Sequence, residues 1–541
     1  MKLIKFLHNI PFLKYEPWLF CALLIANLFP IFTDGFFPTI DGPAHLYNAQ
    51  LIRELLLSDD PMLHKHFMFT PGIMPNWSGH GILVILASVL PGRIAEFIFL
   101  CVYLLGLPLS FRFLVKQAEP DNLTLSYLIF PLCFSFLFLL GFYNFSLGLM
   151  FLFWSAGLWL RIRQTLSTKK LLWLLLFLSV LLTYLSHVFV FFFLIVFLGS
   201  DFLVSLVLSR WESAKNSEMG WAKKLGVLMA TTIVPGGLFI HYYFNSAHLD
   251  EGVFLETNEL IDWLTMMRHL VVFNFQLELP HVRWIKWPMI FLTVTSLIWL
   301  AIWSYRTKVW KTICSSILRP IPWLLVVLSA LILYFTLPDS NYTAGFVSVR
   351  LCLFVWLGVM SCLVYQKTHW MVHLLLMVPL LIGHFNLNKY YRESTQILVP
   401  KTMDIYQMAE LIPEGSVVLP LNFTGEWQQA HFVNYLGADR HLILLDNYET
   451  DMGYFPLKWN DAEVPNNLLG SLSSNELTDL HWRNNPANET HVIPYVFVMG
   501  DFDESKEDHR MISDAVSASY ELIETREDLR LFRSKADYNQ R

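Results

Sequence analysis

The chain has 541 residues, of which 55% are hydrophobic, 16% aromatic and 15% charged, with a formal net charge of −6. Soluble domains carry about 25% charged residues, and many windows of ~20 residues here hold almost none, which excludes a soluble globular protein and indicates a multi-span membrane protein. The charge is split: 387–541 hold 13 Lys and Arg against 25 Asp and Glu, while 1–386 hold 25 against 19, and an acidic tail excludes a nucleic-acid partner, which needs clustered Lys and Arg.

The first apolar run, around 17–33, lacks a small-residue cleavage site and reads as a retained helix. Lys2, Lys5 and Lys14 before it place the N-terminus in the cytoplasm, so the following loop, 34–93, emerges outside. The run 79–91 has 13 residues, about 20 Å as a helix, and reads as a helix half-sunk in the outer interface; the alternative is that it spans and another run does not. The spans are then 17–33, 94–115, 122–141, 145–160, 170–186, 188–209, 225–244, 287–305, 320–337, 350–366 and 370–386, about eleven. Cationic segments at 161–163 with 169–170, at 210–224, at 306–319 and at 366–369 are separated by two spans each, so all face the cytoplasm and 387–541 lie outside. The six cysteines, Cys21, Cys101, Cys133, Cys314, Cys352 and Cys362, fall in apolar segments without metal-ligand spacing and read as packing residues.

The tail reads as a separate soluble α/β domain with a partly parallel sheet. Strands are expected at 416–421, 441–445, 495–499, 520–524 and 529–532, and helices at 426–436 and 512–518. It has neither a glycine-rich phosphate loop nor a nucleophile elbow. The domain division is therefore 1–386, with outer loops 34–93 and 245–286, and 387–541.

Chemistry concentrates at 39–55. Asp41 precedes Gly42-Pro43, and Leu46, Ala49, Leu51, Ile52 and Leu55 follow at helical spacing. Pro43 suits a first helical turn. As the helix cap, Asp41 is kept ionised by the positive helix end, and His45, four residues on, shares its face. One reading is an acid and an imidazole presented together at a membrane surface; the other is an amphipathic helix lying on lipid.

A single span, then a large outer loop opening with an acid, an amphipathic helix and a return through short interfacial helices: this pattern resembles the GT-C superfamily of membrane glycosyltransferases, which take sugar from polyprenyl-phosphate carriers. The resemblance covers about 1–390 as architecture and rests on the Asp41 helix and a few outer turns. Asp41-Gly42 stands where many members have Asp-Glu, so one of the paired carboxylates is missing. The resemblance implies a multi-span α-helical, GT-C-like membrane domain with an extracytoplasmic α/β tail, and Asp41 as catalytic base. Asp34, directly after the first span, is the competing acid.

An acceptor hydroxyl must lose its proton as it attacks the anomeric carbon, and the leaving lipid phosphate must be met by cations or imidazoles. Arg350, at the start of a span, can clasp phosphate or snorkel to the interface. His187, in the turn after Ser186, is a basic residue of the kind the family places there, or a buried core histidine. Asn144 can hydrogen-bond sugar or satisfy a helix end. In the loop 245–286, His248, Asp250, Glu251, Glu256, Glu259 and Asp262 have no metal spacing and read as a solvated face, while Arg268 and His269 are candidates for facing phosphate. A divalent metal held by Asp41 with one of these acids is not favoured, and no cofactor is expected. In the tail, Trp427, Tyr448, Tyr454, Phe455 and Trp459 sit among Asn447, Asp451 and Asn460 and suit either a saccharide or a core. Sequons begin at Asn341, Asn422 and Asn488.

The expectation is a glycosyltransferase of the inverting kind. It moves sugar from a polyprenyl-phosphate-linked donor to an extracytoplasmic lipid, glycan or protein acceptor, with Asp41 as base and His45, Asn144, His187, Arg268, His269 and Arg350 binding substrate. The resemblance puts it in the bilayer of a bacterial inner membrane. A transporter or flippase of a lipid-linked or polar solute is the alternative; it predicts ionisable groups in mid-span and repeated halves, and the spans read as nearly charge-free. A bare anchor for the tail needs far fewer spans.

Overall fold

The computed structural model describes residues 12–164, 169–211, 220–246, 252–307, 316–341, 344–366, 370–464 and 493–538. Lys2, Lys5, Cys314, His248, Asp250, Glu251, Asn488, the turn 367–369 and much of 210–224 and 306–319 lie outside the described residues.

Among the described residues, seven helices are long and apolar enough to cross a bilayer: Gly92–Ala118, Tyr143–Arg163, Val188–Leu208, Trp221–Asn245, Phe275–Tyr305, Ser316–Thr336 and Met371–Leu411. Shorter apolar helices lie at Tyr15–Ile31, Lys170–Ser186 and Val347–Leu363. With no water at bilayer depth, a helix is the form in which each span satisfies its own backbone, and the protein is an integral membrane protein. The run at 79–91 forms Ser78–Ala87, about 15 Å long and too short to span.

One expected span is different. Residues 122–141 do not form an α-helix; Pro120–Leu132 runs as successive 3₁₀ turns, followed by the short helix Phe136–Leu139. Residues Asn122 and Thr124 to Leu132 are buried in protein, and Pro120 and Pro131 interrupt regular helix bonding. Asn122 has φ −100° and ψ 20°, and its side-chain amide donates to the carbonyls of Val364 and Gln366, each at 2.7 Å. Thr124 pairs with His373 at 3.0 Å. An apolar run packed by protein on every side is free to leave the α-helix where side chains meet its polar groups.

The spans are not wholly free of charge. Glu16 receives two bonds from the Arg112 guanidinium, at 2.7 and 2.6 Å, with the Phe20 ring 4.2 Å below. Asp201, inside Val188–Trp211, accepts from Trp159 Nε1 at 2.7 Å and lies 3.2 Å from Arg163 Nε. Both acids are paired within the helix packing, which is a structural use of charge.

The chain divides into two compact units. One comprises Met1–Phe32, Leu100–Leu139 and Asn144–Ser394, and the other Thr33–Phe99, Leu140–Tyr143 and Thr395–Arg541. The expected boundary at 386/387 therefore changes: the first outer loop belongs with the tail. The reason is visible in the second unit. Strand β1 (Phe67–Phe69) pairs antiparallel with β4 (Leu457–Trp459), and Phe67 stacks on Trp459 at 4.6 Å. Helix Gly42–Leu57 is buried along most of its length, so it is a core helix and not one lying on lipid. Its Tyr47 hydroxyl donates to Leu442 O at 2.7 Å and accepts from Leu444 N at 3.0 Å. Asn48 and Asn447 exchange two amide bonds, each 2.9 Å.

The tail sheet contains β2 (Val417–Asn422), β3 (Ile443–Leu444), β5 (Tyr495–Met499), β6 (Tyr520–Arg526) and β7 (Leu529–Ser534), in the order β3-β2-β5-β7-β6. β2 is parallel to β3 and β5, and β7 is antiparallel to β5 and β6. β5 is buried throughout, as a central strand must be. Helix Glu507–Ser519 matches the expected one, but 426–436 forms two 3₁₀ turns, Trp427–Gln429 and Phe432–Gly437, in place of a helix.

Candidate functional site

In the second unit, Asp41 occupies the N-cap position of Gly42–Leu57, yet its side chain makes no capping bond. Its backbone is held instead: the Asp41 N–H donates to Leu140 O at 2.9 Å. Gly141, at φ +89°, lies so close that a Cβ there would stand 2.7 Å from the Asp41 nitrogen, a place only glycine fills. The carboxylate is thereby free to face other groups. The Tyr448 hydroxyl interacts with it, and His431 Nε2 lies 3.7 Å from its Oδ1. The Tyr448 and His431 rings stack at 4.3 Å.

Gly42 explains the missing second carboxylate. A side chain there would strike Thr39 and the Tyr143 hydroxyl, with Glu96 Oε1 3.0 Å away. Glu96 itself accepts from Tyr143 at 3.2 Å, and Thr39 completes the chain at 2.9 Å. An acid from a neighbouring helix thus fills the space a residue-42 carboxylate would need.

His45 is not presented at a surface. It is 4% exposed, and its Nδ1 lies 2.6 Å from Glu449 Oε1. Glu449 Oε2 faces His80 Nε2 at 2.8 Å, and His80 Nδ1 bonds Asn76 O at 3.1 Å. The three side chains form a buried His–Glu–His group whose donor atoms lie within 4.8 Å of one another, the arrangement of a metal-binding set. Burial pushes the Glu449 carboxyl up, but His80 and His45 override it and hold it at about 2. Burial lowers His45, and Glu449 more than offsets this, leaving it raised. His45 is therefore an internal residue and not one placed to touch substrate.

The other candidates belong to the first unit. His187 lies at the turn between Lys170–Ser186 and Val188–Trp211, packed on Phe145 and Phe189. Its Nδ1 accepts from the Phe189 N–H at 3.2 Å. Burial and then the Arg350 charge hold this imidazole well below the usual range, so it is neutral and its proton sits on Nε2. That nitrogen faces Arg350 Nη1 at 3.3 Å. A guanidinium and an imidazole thus meet there, groups whose chemistry suits an anion. Asn144 is buried in the first turn of Tyr143–Gln164.

Arg268 and His269 have different work. The Arg268 guanidinium lies over Phe136, Trp263 and Phe275 at 4.4, 5.4 and 5.1 Å and donates to Val271 O. His269 is fully buried beside Cys352, 3.4 Å from its Sγ, and burial with Arg268 pushes it down to about 3. Both pack within and around the 3₁₀ turn Arg268–Leu270. Glu256, Glu259 and Asp262 are exposed, as a solvated face requires.

Of the tail aromatics, Tyr448 reaches Asp41, Phe455 covers His45 and His80 at 6.0 and 5.9 Å, and Trp459 is core. His80, Glu449, His431 and Glu96 were not singled out from sequence. His80 and Glu449 are 369 positions apart, and no spacing rule connects them.

No protein-family description matches the chain, and no curated protein matches it. Among solved structures it is similar to the oligosaccharyltransferase AglB of Archaeoglobus fulgidus in complex with an inhibitory peptide and a dolichol-phosphate. That match has 10% identity, covers 97% of this chain and 75% of that one, and has a TM-score of 0.46. It is also similar to ArnT from Cupriavidus metallidurans bound to undecaprenyl phosphate, with 13% identity, 96% of this chain, 97% of that one and a TM-score of 0.39.

Proposed function

We propose that the protein is a membrane glycosyltransferase that moves a sugar from a polyprenyl-phosphate-linked donor to an extracytoplasmic acceptor, with Asp41 as general base. The observation that supports this most is the Asp41 carboxylate itself. It sits at a helix start, does not cap the helix, and lies among the Tyr448 hydroxyl and the His431 ring. A carboxylate so held can accept the acceptor hydroxyl's proton as the oxygen bonds to the anomeric carbon. The bond from that carbon to the phosphate oxygen breaks, and the electron pair leaves with the lipid phosphate. Attack opposite the leaving group inverts the anomeric centre.

Arg350 and His187, paired with each other in the other unit, are proposed to bind the phosphate of the lipid-linked donor. Transfer needs no covalent sugar–enzyme intermediate. The experiment is direct: purified full-length protein in detergent or nanodiscs, given polyprenyl-phosphate sugars and a panel of lipid, glycan and peptide acceptors. Release of polyprenyl phosphate matched by glycosylated acceptor is expected. Vesicle-to-vesicle movement of the intact donor with no bond broken would instead identify a flippase.

A further inference from the structure

We propose that His45, His80 and Glu449 bind one divalent transition-metal ion, zinc by its chemistry, as a buried staple of the unit that carries Asp41. The argument begins with where the ring protons must be. His80 Nδ1 faces the Asn76 carbonyl. A carbonyl accepts only, so a neutral His80 ring carries its proton on Nδ1. Its unprotonated Nε2 then faces Glu449 Oε2 at 2.8 Å, lone pair toward lone pair. His45 Nδ1 meets the other carboxylate oxygen.

The contact confirms the mismatch. His45 Nδ1 and Glu449 Oε1 are 2.6 Å apart, yet neither has a partner aligned as a hydrogen bond. The three residues are 4%, 0% and 1% exposed, so water does not relieve them. Two extra protons would relieve the clash only by burying two imidazolium charges against one carboxylate, which is costly. One divalent cation relieves it with both rings neutral.

Two imidazoles and one carboxylate form a common zinc donor set, and nitrogen donors favour zinc over magnesium or calcium. Metal-bound histidines usually donate their rear N–H to a carbonyl or carboxylate, as His80 does to Asn76 O. The ligands come from helix Gly42–Leu57, helix Ser78–Ala87 and the turn Tyr448–Asp451, beneath Phe455. The ion would thus tie the outer loop to the tail within one unit. His45 is one helical turn beyond Asp41, and Glu449 follows Tyr448, so the same ion would fix the backbone beside both Asp41 and Tyr448. The site is separate from any metal held by Asp41 itself, and it stands independently of the glycosyltransferase reading.

The test is elemental analysis of the full-length protein, purified without chelator or added metal. About one zinc per chain is expected. 1,10-Phenanthroline should lower the unfolding midpoint by roughly 5 °C or more, and added zinc should restore it. Cobalt exchanged into the site should give the visible bands of a nitrogen- and oxygen-ligated ion. Glu449→Gln and His80→Ala should lose the metal, and Asp41→Asn should keep it. If those ligand variants fail to fold, the wild-type measurements still decide. Below about 0.1 metal per chain, with a midpoint indifferent to chelator and zinc, the group is a protonated His–Glu–His cluster and the proposal fails. It fails equally if Asp41→Asn removes the metal while Glu449→Gln retains it.

Discussion

The Tyr448 ring stacks on His431, which stands 3.7 Å from the Asp41 carboxylate, and the Tyr448 hydroxyl interacts with that same acid. The acid from the first outer loop is thus oriented by two side chains from the tail, all within one compact unit. On this account Tyr448 is a positioning residue. Tyr448→Phe keeps the ring and removes the hydroxyl, so kcat should fall about tenfold, with KM for the lipid-linked donor little changed. An unaltered kcat would show that the hydroxyl does not orient Asp41.

Arg350 and His187 make a separate prediction. Arg350→Ala should lower kcat/KM for the polyprenyl-phosphate donor about 100-fold, through loss of charge stabilisation on the leaving group. Arg350→Lys should recover only part, because a point charge does not reproduce a guanidinium fork. Equal activity of Lys, Ala and wild-type proteins would leave Arg350 as an interfacial side chain.

Asp446 should make stability fall as pH rises. Burial pushes its carboxyl up to about 7 from an ordinary 3.8. Below about pH 4 it is protonated in both states and its contribution is fully present. Between about 4 and 7 the unfolded chain loses the proton while the folded chain keeps it, so stability declines. Above about 7 the folded chain carries a buried charge, and the cumulative loss is on the order of 4 kcal/mol. Asp446→Asn should remove this slope and raise the unfolding midpoint at pH 8, read by thermal unfolding in detergent across pH 5–8.5.

Gly42 should be intolerant of any side chain. Gly42→Ala pushes a methyl group against Thr39, Tyr143 and Glu96, an overpacking that costs roughly 1–3 kcal/mol. Gly42→Glu, which recreates the Asp-Glu pair of the resembled family, should be worse and should not raise activity. A stable and more active Gly42→Glu protein would contradict the steric account.

Much of this was legible in the sequence, and the gaps have physical causes. Hydropathy marks long spans because lipid demands apolar side chains along a whole helix. The same signal cannot separate lipid burial from protein burial, which is why 122–132 reads as a span and folds as 3₁₀ turns. Strand β5 was readable because a central strand is apolar on both faces. The three-residue β1 was not, and with it went the true unit boundary. Asp41 stood out by its place after the first span. Its partners His431 and Tyr448 did not, since no local pattern announces a contact made across the chain. His45 was found for its helical spacing from Asp41, while its buried partner Glu449 gave no sign of itself.

The central claim is that Asp41 takes the acceptor's proton, and the decisive measurement is turnover by purified Asp41→Asn protein whose unfolding midpoint matches wild type. Removing a general base should cost about 10²–10⁴ in kcat while donor binding stays intact. Turnover equal to wild type would contradict the account.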